Sequence, residues 1–186
     1  MIDTGVIHGR FQVLHNDHLR YLLAGKSRCR HLVVGITNPD PSLTLVDPAD
    51  PDRHELYANP LTYYERYVMV RAVLKEAGLE DADLSVVPFP INLPEQYKSY
   101  VPLHGTFFLT IYDEWGRRKR ELFESMGLEV EVLWEKPLTQ KGLSGAEIRA
   151  QMARGEEWEQ TVPPTVRALM HAWGIPTRIR KLLERQ

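Results

Sequence analysis

Short runs rich in β-branched residues alternate with longer amphipathic stretches. This alternation is the sequence feature that most limits the fold that the chain can adopt. Five short runs have the length and composition of strands, at residues 5–8, 31–37, 84–89, 106–111 and 129–134. Helical patterns lie between and after them, at residues 17–26, 62–78, 114–126, 144–154 and 163–173. The alternation predicts an α/β fold with five parallel strands and helices on both faces of the sheet.

The length and charge limit the classes of protein that fit this pattern. A chain of 186 residues predicts one Rossmann-like domain, residues 1–186, with a helical C-terminal segment at about 155–186 that ends in a basic amphipathic helix. Cys29 is the only cysteine, which excludes an internal disulfide and favours a reduced, cytoplasmic setting. A net charge of −2 gives no overall basic field for nucleic acid. The first residues lack the basic and long apolar regions typical of a signal peptide, and no apolar run reaches roughly 18–20 residues, so we expect no membrane partner.

The turn after the first strand carries the densest chemistry. Gly9 lets the backbone turn sharply and approach a ligand, and Arg10 is a permanent cation whose geometry matches phosphate. His15 and His18 are three residues apart at the start of a helix, so their rings can face the same way. A helix N-terminus favours phosphate through its free N–H groups and its dipole. Together these features predict a site for a nucleoside triphosphate.

Two alternative roles for the pair of histidines are less well supported. A partial metal site is disfavoured by the single cysteine and by the lack of an HExxH pattern, so we expect no metal bound by protein ligands alone. Ordinary surface histidines are the second alternative.

Asn16 or Asp17 is the expected N-cap of the helix. The turn has neither a GxGxxG fingerprint nor a Walker A loop, which disfavours dinucleotide binding and P-loop chemistry.

Four segments resemble one family. GRFQ followed by H-x-x-H resembles the HxGH signature of the nucleotidyltransferase superfamily, in the version found in archaeal-type nicotinamide-nucleotide adenylyltransferases. LSGAEIR at 143–149 resembles the SGTEIR motif of that family, and NPLTYYER at 59–66 resembles its NPF-T-x-x-ER segment. GEEWEQTVPPTVRALM at 155–170 resembles its G-E-x-W-x-x-x-VP-x-x-V stretch. The segments occur in the family's order and span most of the chain.

The resemblance implies an enzyme that joins a nucleoside triphosphate to a phosphate monoester and releases pyrophosphate. The acceptor phosphate attacks the α-phosphorus in line, without a covalent enzyme intermediate, so catalysis is positioning and charge stabilisation. ATP and nicotinamide mononucleotide are the substrates implied, with Mg²⁺ bridging the triphosphate. We expect a homo-oligomer.

The resemblance also implies roles for individual residues. His15 and His18 donate hydrogen bonds to the triphosphate, Arg10 binds phosphate, and Arg149 grips the β/γ end. Ser144 caps the second motif's helix and offers its hydroxyl or N–H to phosphate. The catalytic set is His15, His18, Arg10 and Arg149; the nucleotide-binding set adds Gly9, Phe11, Gln12, Ser144 and Ile148.

The chain departs from the family pattern at several positions. Asp17 stands where the HxGH motif has glycine, and it could bind Mg²⁺, hydrogen-bond a sugar hydroxyl or mark weakened catalysis. Ala146 replaces the threonine of SGTEIR and loses one hydroxyl donor. The family reads the pyridine ring with an asparagine and an aromatic residue after the third strand. The candidates here for acceptor binding are Asn92, Tyr97, Tyr100 and Trp115.

These departures leave three alternatives to nicotinamide-nucleotide adenylyltransferase. The first is the same chemistry on another acceptor, and the second is the use of CTP in place of ATP. The third is a nucleotide-binding protein that has lost turnover.

Overall fold

The sheet is the frame that positions the first turn. The computed structural model describes residues 1–41, 54–140 and 142–184. Within these ranges five strands form one sheet in the order β3-β2-β1-β4-β5, and every neighbouring pair is parallel. The predicted five-stranded parallel sheet is therefore confirmed. The strands are β1 (Ile2–Gly9), β2 (Cys29–Thr37), β3 (Leu84–Phe89), β4 (Thr106–Ile111) and β5 (Glu129–Glu135).

Helices follow the strands where the sequence pattern predicts them. Thr62 Oγ1 accepts the N–H of Glu65 at 3.2 Å, and the Glu65 carboxylate accepts the N–H of Thr62 at 2.8 Å. This reciprocal pair is a capping box and fixes the start of the second helix. The predicted terminal helix is also present, as the sixth. The helices of the described residues are α1 (Asn16–Lys26), α2 (Tyr63–Glu76), α3 (Glu114–Ser125), α4 (Gly145–Arg154), α5 (Pro164–Ala172) and α6 (Ile175–Leu183).

Helices cover both faces of the sheet, as predicted. Successive residues of a strand point to opposite faces, so Ile7 and Val6 of β1 belong to two different cores. The core around Ile7 includes buried side chains of α1, α2 and α4–α6, among them Ile179. The core around Val6 includes Phe123 of α3 and Phe107 of β4. No helix within residues 1–41, 54–140 and 142–184 is long and apolar enough to span a membrane.

The strand order opens a crevice beside β1. The chain runs outward from β1 to β2 and β3, and then returns to place β4 on the other side of β1. The connections after β1 and β4 consequently lead to helices on opposite faces, α1 and α3. In parallel sheets ligands bind at such a reversal, beyond the carboxyl ends of the strands.

Candidate active site

A cavity of about 470 Å³ opens at this reversal. Three stretches of chain line it. The first is the turn after β1 with the start of α1, within residues 8–21. The second is the turn after β4 with the start of α3, within residues 110–119, together with Trp134 of β5. The third is residues 142–146, where α4 begins.

His15 and His18 form a reciprocal cap at the start of α1. His15 is the N-cap, and its Nδ1 accepts the N–H of His18 at 3.4 Å. The Nδ1 of His18 accepts the N–H of His15 at 3.4 Å, and the two rings stack with centroids 3.8 Å apart. The expectation that Asn16 or Asp17 caps this helix is therefore wrong. An imidazole nitrogen takes the place of the carboxylate or amide oxygen usual at an N-cap.

The cap also fixes which ring atoms can meet a ligand. A ring nitrogen that accepts an N–H carries no proton, so the proton of each imidazole lies on Nε2. Burial lowers the pKa of His15 to about 4, although the nearby Asp17 carboxylate raises it. At neutral pH His15 is consequently an uncharged hydrogen-bond donor at the cavity wall.

The remaining residues of the first turn divide between the cavity and its support. Gly9 and Arg10 line the cavity, and a Cβ atom on Gly9 would lie 2.7 Å from the ring of Phe11. Phe11 is buried and meets the His18 ring edge-on, with centroids 5.2 Å apart. The Gln12 side chain points to the connection before α2, where its Nε2 donates to the Leu61 carbonyl at 2.8 Å. The Leu61 N–H donates back to Gln12 Oε1 at 2.9 Å.

Residues of the second motif lie both at the cavity and behind it. Ser144 lines the cavity and caps α4, since its Oγ accepts the N–H of Glu147 at 3.2 Å. Arg149 is buried and donates to the Gln12 carbonyl, behind the first turn rather than in the cavity wall. Ile148 is fully buried in the core. The structure thus brings Ser144 to the cavity and places Arg149 and Ile148 beneath it.

Asp17 lies at the edge of the cavity, where α1 meets the start of the third wall. Its Oδ1 accepts a hydrogen bond from Arg20 Nη1 at 3.1 Å. A Cβ atom on Gly142 would clash with its Oδ2, so the chain at Gly142 passes close to this carboxylate.

The four acceptor candidates are not brought together. Trp115 lines the cavity. Tyr97 is fully buried and donates its hydroxyl hydrogen to the Ile91 carbonyl at 2.6 Å. Asn92 lines a separate small depression beside Asn38, and Tyr100 is exposed outside the cavity wall.

The cavity wall contains four residues that were not predicted from the sequence, Tyr21, Tyr112, Lys119 and Trp134. Lys119 lies one helical turn beyond Trp115, and its Nζ is 4.2 Å from the centroid of that ring. The indole N–H of Trp134 donates to the Tyr112 hydroxyl at 2.7 Å. The Tyr21 ring meets Trp134 edge-on. Position after a strand was the available signal, because the carboxyl ends of parallel strands share one edge of the sheet.

The cavity lies at a reversal of strand order in an α/β sheet and contains imidazole donors beside a capped helix N-terminus, features that are typical of nucleotide-binding enzymes. Residues 6–151 match the cytidylyltransferase-like family, and the chain belongs to that family. Its relatives are nucleotidyltransferases, and this chain is one as well.

Particular relatives refine the comparison. The chain is 50% identical over 177 residues to a phosphonoformate cytidylyltransferase of Streptomyces viridochromogenes. The matched region covers 95% of this chain and 95% of the relative. It is 32% identical over 168 residues to a nicotinamide-nucleotide adenylyltransferase of Thermococcus kodakarensis, covering 89% of this chain and 81% of the relative. The predicted resemblance to the archaeal enzymes is confirmed.

Solved structures share the fold at much lower identity. A bifunctional NMN adenylyltransferase/ADP ribose pyrophosphatase from Francisella tularensis superposes with a TM-score of 0.68 and 13% identity, over 97% of this chain and 53% of that one. A nicotinic acid mononucleotide adenylyltransferase from Plasmodium falciparum gives a TM-score of 0.53 and 9% identity, over 95% and 98%.

Proposed function

We propose that this nucleotidyltransferase transfers a cytidylyl group from CTP to a small phosphonate acceptor of the phosphonoformate type and releases pyrophosphate. The observation that carries this is the 50% identity over 95% of both chains to a phosphonoformate cytidylyltransferase, against 32% to the adenylyltransferase above. The alternative of CTP is therefore better supported than the expected pair of ATP and nicotinamide mononucleotide.

The acceptor side of the cavity supports a small anion. Asn92, Tyr97 and Tyr100, the candidates for holding a pyridine ring, lie outside the cavity wall. Arg10 supplies a cationic group within the wall. A small acid with a phosphonate and a carboxylate needs such a cation more than it needs an aromatic clamp.

The first turn and the start of α4 suit the transfer step. A phosphonate oxygen of the acceptor attacks the α-phosphorus of CTP. The bond from that phosphorus to the bridging oxygen breaks, and pyrophosphate leaves with the electron pair. The Nε2–H groups of His15 and His18 donate to the phosphoryl oxygens on which charge accumulates. Ser144 and the N-terminus of α4 bind the pyrophosphate end.

Mg²⁺ with the triphosphate is part of the same proposal. The cavity wall carries two carboxylates, Asp17 and Asp113. Mg²⁺ takes oxygen ligands and binds nucleotides chiefly through phosphate oxygens, with one or two carboxylates and water. Asp17 is the candidate protein ligand, because it lies in the first turn of α1 next to His18, whereas Asp113 is the N-cap of α3. Bound there, the ion would offset charge on the triphosphate.

A homo-oligomeric state and a cytoplasmic location stay predictions from the sequence.

The aromatic wall after β4 fits the base of the nucleotide. Tyr112, Trp115 and Trp134 offer stacking surface, which phosphonoformate, having no ring, cannot use. Lys119 lies over the Trp115 ring and can donate to the two adjacent acceptors of cytosine, O2 and N3. We therefore assign Trp115 to base binding rather than to acceptor binding.

Lys119→Met tests the assignment of Lys119 to base binding. We expect the KM for CTP to rise about 10- to 100-fold with little change in kcat, because a hydrogen bond to a charged group contributes about 1.5–3 kcal/mol to binding. Steady-state kinetics with CTP varied at saturating acceptor gives this value, and Lys75→Met, an exposed lysine of α2, is the control. A rise confined to the KM of the acceptor would instead place Lys119 in the acceptor site.

Pyrophosphate release tests the function as a whole. The purified chain is incubated with Mg²⁺ and either CTP or ATP, and with phosphonoformate or nicotinamide mononucleotide. We expect turnover with CTP and phosphonoformate, and a ³¹P spectrum of the product that shows a new phosphonate–phosphate linkage. Turnover only with ATP and nicotinamide mononucleotide would overturn the proposal.

A further inference from the structure

Arg66 is a buried arginine that directly supports the first turn. It is 2% exposed. Its Nη1 donates to the carbonyls of Arg10 at 3.0 Å and Thr37 at 2.7 Å, and its Nη2 donates to the carbonyl of Asn38 at 2.8 Å. Its Nε donates to the Thr62 carbonyl at 3.3 Å. One guanidinium thus joins the carboxyl ends of β1 and β2 to the start of α2.

Among the residues that the structure describes, no acid balances the charge of this group. Each of the four acceptors is a neutral backbone carbonyl, and no carboxylate within the described ranges forms a salt bridge with Arg66. Burial lowers the pKa of Arg66 to about 10, partly offset by Tyr63, so the group is cationic at neutral pH. A buried charge is costly unless something pairs with it. A bound triphosphate would be a counter-charge of the right sign beside this guanidinium.

The hydrogen bond to Arg10 also sets the direction of the next N–H. The peptide bond between Arg10 and Phe11 is trans, so its carbonyl and its N–H point in opposite directions. Arg66 holds the carbonyl and is not part of the cavity wall, whereas Arg10 and Phe11 are. The N–H of Phe11 therefore points away from Arg66. Phe11 has a φ of 52°, a conformation that non-glycine residues adopt only where the surroundings enforce it.

We propose that Arg66 is a positioning residue for the transfer reaction: it orients the Arg10–Phe11 peptide so that the Phe11 N–H donates to the triphosphate, and it places a buried positive charge behind that contact. This role is independent of the base and of the acceptor, because every nucleoside triphosphate presents the same phosphates. The role proposed for Arg66 would therefore hold even if CTP and phosphonoformate were not the substrates.

Arg66→Gln and Arg66→Lys separate the two parts of this role. We expect kcat to fall about 10²-fold in Arg66→Gln, the loss typical of a displaced donor to a transferring group. We also expect the Kd for inorganic pyrophosphate with Mg²⁺, measured by calorimetry, to rise about tenfold or more. Lysine keeps the charge but cannot reach all four carbonyls, so Arg66→Lys should restore pyrophosphate binding more fully than kcat.

Arg178→Gln is the matched control for a purely structural effect. Arg178 of α6 also holds a backbone carbonyl, that of Pro60 at 2.9 Å, and it binds Glu65, the residue before Arg66. Its loss should lower Tm without lowering kcat or pyrophosphate affinity. All assays run with the nucleotide and acceptor that turn over, at a temperature where each variant is folded.

Two outcomes would overturn the proposal. The first is wild-type kcat and pyrophosphate affinity in folded Arg66→Gln. The second is an equal loss in Arg178→Gln. If Arg66→Gln does not fold, Arg66→Lys decides the matter at a temperature where it is folded: a kcat that falls more than pyrophosphate affinity supports positioning, and any other result rejects it.

Discussion

His18→Ala should lower kcat by about 10²–10³, the typical loss for one preorganised donor to a reacting oxyanion, with a change in the KM for CTP below about threefold. The reason is geometric. His18 accepts the N–H of His15 through Nδ1, which leaves its Nε2–H as the donor at the cavity wall. A donor aimed at charge that develops during transfer acts mainly in the transition state. Steady-state kinetics with both substrates varied gives the two constants.

The cap made by His18 requires a second variant. Alanine removes the acceptor for the N–H of His15 as well as the Nε2 donor, so α1 also loses stability. His18→Asn can keep an acceptor near the position of Nδ1 but has no donor at the position of Nε2. We expect it to match the alanine variant in kcat and to exceed it in Tm. His104→Ala, at an exposed histidine outside the cavity wall, should change neither. Recovery of kcat in His18→Asn would show that the cap, and not the donor, matters for catalysis.

Much of the fold is predictable because it is decided locally. The five strands are short β-branched runs, and the start of α2 follows from Thr62 and Glu65, three residues apart. The first turn is predictable for the same reason, since Gly9, Arg10, His15 and His18 lie within one short segment. The reciprocal histidine cap was missed, because residue preferences alone favour Asn16 or Asp17 at that position.

The part of the cavity wall that follows β4 was not predictable because it depends on strand order. The sequence does not reveal that β4, rather than β3, lies beside β1 at the crevice. Strands are about 4.8 Å apart, so β3 lies about 10 Å from β1 and its loop falls outside the cavity. Tyr97 and Asn92 follow β3 and are absent from the wall, while Trp115 and Lys119 follow β4 and line it. Neither residue type nor spacing distinguishes these two loops.

The second motif shows how packing separates residues that a motif groups together. The backbone of α4 lies against the first turn so closely that a Cβ atom on Gly145 would be 2.7 Å from the Gln12 carbonyl oxygen. Arg149 donates to the same carbonyl. The start of α4 is therefore held directly against the backbone of the first turn. The distance between Ser144 and His18 across the cavity depends on this contact between Gly145 and Gln12.

Gly145→Ala should consequently lower kcat by about 10²-fold, because a shift of about 1 Å in a positioning element can have that effect. The clash is with backbone atoms of Gln12 and Val13, which cannot move aside as a flexible side chain would. Either α4 or the first turn must shift. We also expect a loss of about 1–3 kcal/mol in the free energy of unfolding, typical of overpacking. Kinetics and denaturant titration of the same preparation measure both effects.

Gly155→Ala is the control at the opposite end of the same helix. Gly155 has a φ of 71°, and nothing lies within 4 Å of a Cβ atom built there. Alanine in this left-handed conformation costs about 1–2 kcal/mol, a loss comparable to that expected at Gly145. Its kcat should nevertheless stay at the wild-type value, because no wall of the cavity moves. If both variants lose activity in proportion to stability, α4 contributes only to folding. If Gly145→Ala alone loses activity, the close contact between Gly145 and Gln12 is what sets the geometry of transfer.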